Sequence, residues 1–383
     1  MRRSAHAALA PPAQSRQEGD DSLSYLAIRT RIIASVAIAA TCGALTLRAA
    51  DAAPWTVFIV TGVALAGLAA MVGEGTDQLS GRLGPGATGV LQSALGNLPE
   101  FFIGIFALRA GLVDVVRSAL VGSILANTLL VLGLAFIAGG LRHGAQKFGG
   151  DQTRTMSTLL LLAVAALAIP TIAAAPGGPD RGHETEISVV VSIVLLVVFA
   201  ASIPFSIGKG GPVVGAEQGL VLTDKLWPLG VALAVLAAAG VGAAFVSDWF
   251  VEALQPAMET FGMSQSFAGL VVVAIAGNAV ENFVGIRAML ADQGDLAISL
   301  ILNSSLQVAL ALTPVLVIGS LLFGGATLTL VVSPLLVAAL ALATLLAAFV
   351  VIDGESTWLE GLALVGLYVI IAASVWWGAP IPG

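Results

Sequence analysis

Eleven stretches of nearly continuous apolar residues divide the chain, at roughly 31–50, 55–79, 88–108, 115–139, 156–175, 187–207, 226–248, 265–290, 296–321, 326–351 and 357–378. Each approaches or exceeds the roughly 20 residues that a helix needs to cross a bilayer. The runs are continuously apolar rather than alternating, which favours helices over the strands of a barrel. Gly and Pro cluster between them, at Gly84-Pro85-Gly86, Pro176-Gly177-Gly178-Pro179 and Gly208 to Pro212. The fold class read from this pattern is an all-α polytopic membrane protein with about eleven transmembrane helices.

Two polar motifs interrupt the pattern, Gly96-Asn97-Leu98-Pro99-Glu100 and Gly277-Asn278-Ala279-Val280-Glu281. The two glutamates lie 181 residues apart (281 − 100). The same offset pairs Gly104 with Gly285, Ile105 with Ile286, Ser123 with Ser304 and Leu125 with Leu306. A repeat at this spacing predicts two five-helix halves, residues 55–207 and 226–378, after one extra helix at 31–50. Five crossings is an odd number, so the second half is inverted relative to the first. Residues 208–225 form the predicted cytosolic linker.

The composition agrees: 58% of the 383 residues are hydrophobic and 10% charged, against about 25% charged in soluble domains. The one cysteine, Cys42, leaves no disulfide framework. No Lys/Arg cluster with interleaved aromatics is present, which argues against nucleic-acid binding. Residues 1–30 are polar and read as a disordered cytosolic tail, the alternative being a cleaved signal ending near Ala49-Ala50-Asp51-Ala52. Arg2, Arg3, Arg16, Arg29, Arg31, Arg82, Arg142, Lys147, Arg154, Lys209 and Lys225 fall on one face, against Arg48, Arg109, Arg117 and Arg181 on the other. This asymmetry predicts a multi-pass protein of the plasma (inner) membrane, N-terminus cytosolic and C-terminus outside.

A charge at the centre of a membrane helix costs at least about 2.5–3.5 kcal/mol, so intramembrane acids mark ion or substrate paths. Asn97 and Glu100 are three apart and share a helix face, as do Asn278 and Glu281. The following helix in each half adds Ser123 and Asn127, and Ser304, Ser305 and Gln307. Together they offer an all-oxygen site with two carboxylates, suited to a hard cation such as Ca²⁺. With no His or Cys near the motifs, a zinc or copper centre is disfavoured. Two carboxylates balance one divalent charge and repel each other once the ion leaves, so protons can replace the metal on the same groups. An empty, doubly charged site crosses poorly. Glu74 and Asp77, and Asp248 with Glu252, lie near helix ends and are candidate proton-path or cavity-mouth residues, or solvated interfacial acids.

The stretch from Gly96-Asn-Leu-Pro-Glu through Gly122-Ser-Ile-Leu-Ala-Asn-Thr resembles the first repeat of the Ca²⁺/cation antiporter superfamily, in its cation/proton exchanger branch. Gly277-Asn-Ala-Val-Glu-Asn and Ser304-Ser-Leu-Gln-Val-Ala-Leu resemble that branch's second repeat, and Gly75-Thr76-Asp77-Gln78 is a weaker match to its Ala-Thr-Glu-Glu segment. The resemblance implies an inverted-repeat antiporter working by alternating access. It implies cation ligation by Glu100 and Glu281, helped by Asn97, Asn278 and nearby carbonyls, with Ser123, Asn127, Ser304 and Gln307 close by. The chain departs from the family at Asn303, where Gly is usual, at Leu98-Pro99, which resembles the sodium/calcium exchangers, and at Asp77-Gln78. Glu217 and Asp224 are the only acids in the central loop.

The leading expectation is therefore Ca²⁺/H⁺ exchange with no cofactor, the cation being cargo. Na⁺ or K⁺ exchange for H⁺, or Na⁺ for Ca²⁺, on the same scaffold is the alternative, and a passive cation channel a remoter one. An intramembrane hydrolase is disfavoured: His6, His143 and His183 lie in the tail or loops, and no His-Glu-x-x-His occurs. Composition does not give the oligomeric state.

Overall fold

The computed structural model describes residues 13–83, 91, 94–149, 151–179, 181–208 and 226–377, with side chains described for all of these except 13–27, 29, 151–152, 204–208 and 280–282. The predicted linker 208–225 therefore lies almost wholly outside the described residues, as does the start of the predicted tail. Among the described residues twelve helices have both ends defined, in order: α1 (Ala13–Ala49), α2 (Pro54–Ser80), α3 (Leu98–Arg109), α4 (Val113–His143), α5 (Asp151–Ala173), α6 (Glu184–Gly208), α7 (Leu229–Phe261), α8 (Gln265–Gly277), α9 (Ala279–Leu290), α10 (Gly294–Ser320), α11 (Pro334–Ile352) and α12 (Trp358–Trp376). Among the described residues nine of them are long and apolar enough to cross a membrane; α3, α8 and α9 are shorter.

Four expectations need correction. Residues 13–30 are not a disordered tail but the first turns of α1: once a helix is nucleated, extending it is cheap, and this stretch contains no proline. The run at 265–290 is two helices, broken at Asn278. Its counterpart breaks at Gly96-Asn97 before α3 begins. The run at 326–351 is helical only from Pro334, because Ser333 caps the helix with its hydroxyl and Pro334 opens it. Finally, α7 continues to Phe261, well past residue 248.

The repeat is visible in the backbone. Helices α3 and α9 are both 12 residues long and start 181 residues apart. The motif asparagines ahead of them have nearly the same dihedrals, φ −94° and ψ 21° at Asn97, φ −93° and ψ 17° at Asn278. The turn that follows each helix contains a left-handed residue, Gly111 in one half and Asp292 in the other. In α4 a π-helical segment occupies Ala126–Val131, and in α10 one occupies Val308–Leu312.

Packing shows the inversion. The first helices of the two halves, α2 and α7, lie against each other, and so do α5 and α11. At the start of α4, Arg117 Nε donates to the Thr329 carbonyl at 3.1 Å. At its far end, the His143 ring bonds the Leu290 carbonyl at 3.0 Å. Twenty-six residue steps along α4 (143 − 117) separate these points, about 39 Å at 1.5 Å per residue. The turn after α3 thus sits at one end of α4, and its repeat equivalent, the turn after α9, at the other.

Each end is fastened. At the His143 end, Gln146-Lys147 pairs antiparallel with Glu355-Ser356, Phe148 N–H donates to Gly354, and Gly149 N–H donates to Asp295. At the other end an extended strap, residues 321–333, crosses from α10 to α11. Non-helical backbone this deep in an apolar protein must find partners. The Leu328, Leu330 and Val332 amides donate to the hydroxyls of Ser320, Ser188 and Thr171 at 2.9, 2.9 and 3.0 Å. Helix α1 lies outside the repeat against α2, and its Arg48 pairs with Glu252 and stacks over Trp249 of α7.

Candidate cation site

Both motifs place their acid one turn into a helix that begins at a break. Glu100 is the third residue of α3, and Glu281 holds the matching place in α9. A helix N-terminus carries partial positive charge and favours an anion there. A helix break also frees terminal carbonyls to meet other partners; the Ala274 carbonyl accepts from both the backbone N–H and the Nδ2 of Asn278. The side chain of Glu281 lies outside the described residues.

Glu100 is 6% exposed. It points across the repeat: a methyl group added at Gly277 would lie 2.6 Å from Glu100 Cγ and 2.9 Å from Oε1. The glycine of the second motif therefore makes room for the carboxylate of the first. A small cavity opens beside it, between α3, α4, α8 and α10, with Ser123 also in its wall.

The asparagines cross over in the same way. Asn97 Nδ2 donates to Gln307 Oε1 at 3.0 Å. Asn278, fully buried, donates to Ser123 Oγ and to the Ala274 carbonyl, both at 3.0 Å. Asn127 Nδ2 donates to Ser304 Oγ at 3.0 Å, and Ser304 in turn reaches Asn278 Oδ1 at 3.5 Å. One continuous network, Asn127–Ser304–Asn278–Ser123, thus joins the two halves, with Asn97–Gln307 beside it. Asn127 lies within the π segment of α4 and Gln307 just before that of α10, one position apart in the repeat register. A π turn re-aims side chains out of α-helical register and recurs at functional sites.

Of the sequence-predicted residues, Asn97, Ser123, Asn127, Asn278, Ser304 and Gln307 are therefore joined by hydrogen bonds, and Glu100 sits against the same break. Ser305 instead turns its hydroxyl back to the Ile301 carbonyl at 3.3 Å. Glu74 is half-buried on α2, while Asp77 and Asp248 are exposed. Glu252 is engaged by Arg48. Two features escaped the sequence reading: Gly277 as the seat of Glu100, and Thr313, a buried threonine just past the π segment of α10. The first was signalled by the Gly of the motif itself; the second had no signal.

Comparison with known proteins gives a consistent picture. The chain is 35% identical over 319 residues to a Ca(2+)/H(+) antiporter, ChaA, of Bacillus subtilis, covering 82% of this chain and 90% of that protein. It is 33% identical over 337 residues to a Ca(2+)/H(+) antiporter of Synechocystis, covering 83% and 90%. The solved structure of native YfkE superposes with a TM-score of 0.77 at 31% identity, over 90% of this chain and 99% of that one. A crystal structure of the H+/Ca2+ exchanger CAX superposes with a TM-score of 0.73 at 17% identity, over 91% of each, a likeness of fold. The profile of the sodium/calcium exchanger protein family matches residues 53–208 and 231–377, the two repeats. With both halves of the chain matched and the two motifs meeting at one site, this protein belongs to the sodium/calcium exchanger family.

Proposed function

We propose that the protein is a secondary active antiporter that exchanges Ca²⁺ for H⁺ by alternating access. The observation that carries this reading is the seating of Glu100 against Gly277, which brings a carboxylate of one repeat to the helix break of the other. A cation held there touches both halves and binds or leaves as they move. The oxygen-only surroundings suit Ca²⁺, and the names of the relatives point the same way. Glu281, on α9, is the second carboxylate. Asn97, Asn278, Ser123, Ser304, Asn127 and Gln307 position the ligands and supply neutral oxygen. We infer eleven crossings, counting the segment that ends in α3 and the α8–α9 pair as one each. The N-terminus is then cytosolic and the C-terminus outside, in the plasma membrane.

In the cycle, the site faces one side loaded with Ca²⁺ and returns carrying protons on the same carboxylates. The unloaded dianion is held back by its own charge. Glu74, Asp77 and Asp248 are proposed to lie along the solvent approaches.

The test is ion flux in proteoliposomes with an imposed pH gradient and no sodium. Proton-driven Ca²⁺ uptake that disappears in Glu100→Gln supports the proposal. Silence with Ca²⁺ but proton-coupled Na⁺ or K⁺ flux would move the protein to monovalent exchange on the same scaffold.

A further inference from the structure

The strap at residues 321–333 roofs a second cavity, between α4, α5, α10 and α11. Its mouth carries Arg117, which the Asp114 carboxylate partners at 3.1 Å and which grips the strap at Thr329. Its inner wall carries Thr313. That hydroxyl is 2% exposed and has no partner among the described residues. The threonines Thr61, Thr76, Thr128 and Thr344 each donate to the carbonyl four residues back. Thr313 follows a π turn, and its own amide bonds Val308, five residues back; the usual acceptor is out of line. A buried hydroxyl without a partner is costly; Thr313 Oγ1 itself is out of contact with solvent, and the adjoining cavity is large enough for a water.

This cavity and the one beside Glu100 share a single residue, Leu120. On α10, Leu312 and Leu316 face the Glu100 side and Thr313 the other. The partition is thus the α4–α10 seam, with Leu120 as its α4 member.

We propose that Leu120 is a gate between a water-filled vestibule beneath the strap and the cavity of Glu100. This mouth carries water and protons, not the divalent cation. Dehydrating Ca²⁺ calls for 6–8 oxygen ligands, and the vestibule offers two threonine hydroxyls and a guanidinium. Proton movement along water needs none of these. An apolar constriction of this kind gates by drying. The proposal rests on reading Glu100 as the exchange site.

Two experiments test it in the full-length protein with Cys42→Ser, so that introduced thiols stand alone. In the first, Thr313→Cys in proteoliposomes is treated with a membrane-impermeant methanethiosulfonate from each side in turn. Modification from one side only is expected; no modification from either side means a dry vestibule and overturns the proposal. In the second, collapse of a pH gradient is followed without Ca²⁺. Leu120→Ala, which opens the dry constriction, is expected to speed the collapse, and Leu120→Ile to leave it at the parent rate. Leu120→Cys should leak likewise and be resealed by a bulky thiol reagent, which separates a gate from a damaged fold. An unchanged leak in Leu120→Ala and Leu120→Cys overturns the gate. Absence of Ca²⁺ exchange in the parent protein would overturn the exchange reading while leaving the labelling and leak results as expected.

Discussion

A buried carboxylate, a glycine from the opposite repeat and a short run of amides and hydroxyls make up the proposed chemistry. Replacing Glu100 by Gln keeps shape and hydrogen-bonding capacity but removes the charge that holds a divalent ion. Ca²⁺/H⁺ exchange is expected to disappear while circular dichroism and thermal unfolding stay near the parent. Gly277→Ala tests the seat itself. A methyl 2.6 Å from Glu100 Cγ forces the carboxylate aside, and such overpacking costs about 1–3 kcal/mol, so Ca²⁺ affinity should fall by about tenfold or more in isothermal titration. Asn278→Ala removes donors to Ser123 and Ala274 and an acceptor for Ser304. It should cost about 1–3 kcal/mol of stability, read as a lowered thermal midpoint in detergent. The network residues were legible because polar side chains in apolar runs are few and the offset of 181 pairs most of them. The crossing of Glu100 onto Gly277 was not, since no spacing within one repeat says which residue of the other it meets. Nor was Thr313, whose isolation depends on a π turn.

At the level of elements, hydropathy gave the long helices α2, α4, α5, α6, α10 and α12 to within a few residues. It failed where the backbone changes inside a long apolar run. The break at Asn278 and the strap before α11 are both embedded in apolar sequence, where periodicity does not separate helix from extended chain. The strap is stable because three hydroxyls from α5, α6 and α10 accept its amides. Ser188→Ala leaves the buried Leu330 N–H, and Thr171→Val the part-buried Val332 N–H, without its acceptor. Each change is expected to destabilise by about 1–3 kcal/mol, and hydrogen exchange at Leu330 and Val332 should rise selectively. Unchanged exchange there would mean that the hydroxyls do not hold the strap.

Taken whole, the molecule is two halves interlocked head to tail, with α2 and α7 packed together and α7 lying across α3. Motion of the α2–α7 pair over the motif helices would expose the site to alternate faces. A cysteine pair at Leu98 and Gly240, where a methyl on Gly240 would approach the Leu98 side chain to 3.2 Å, can be bridged by a short thiol linker in the Cys42→Ser background. Bridging is expected to stop exchange and spare Ca²⁺ binding; continued exchange would rule out movement between α7 and α3. The architecture of two repeats was legible from the paired motifs, because inversion follows from an odd number of helices per half. The fastening of the two ends was not, since it depends on which loops meet in space. The central claim is that Ca²⁺ and protons compete for one site built by both repeats. Its most direct test is Ca²⁺ titration of the purified protein in weak buffer with a pH-sensitive dye. The account predicts that Ca²⁺ binding releases protons in the parent and that Glu100→Gln neither binds Ca²⁺ nor releases them. Ca²⁺ binding with no proton release, or binding undiminished in Glu100→Gln, would contradict it.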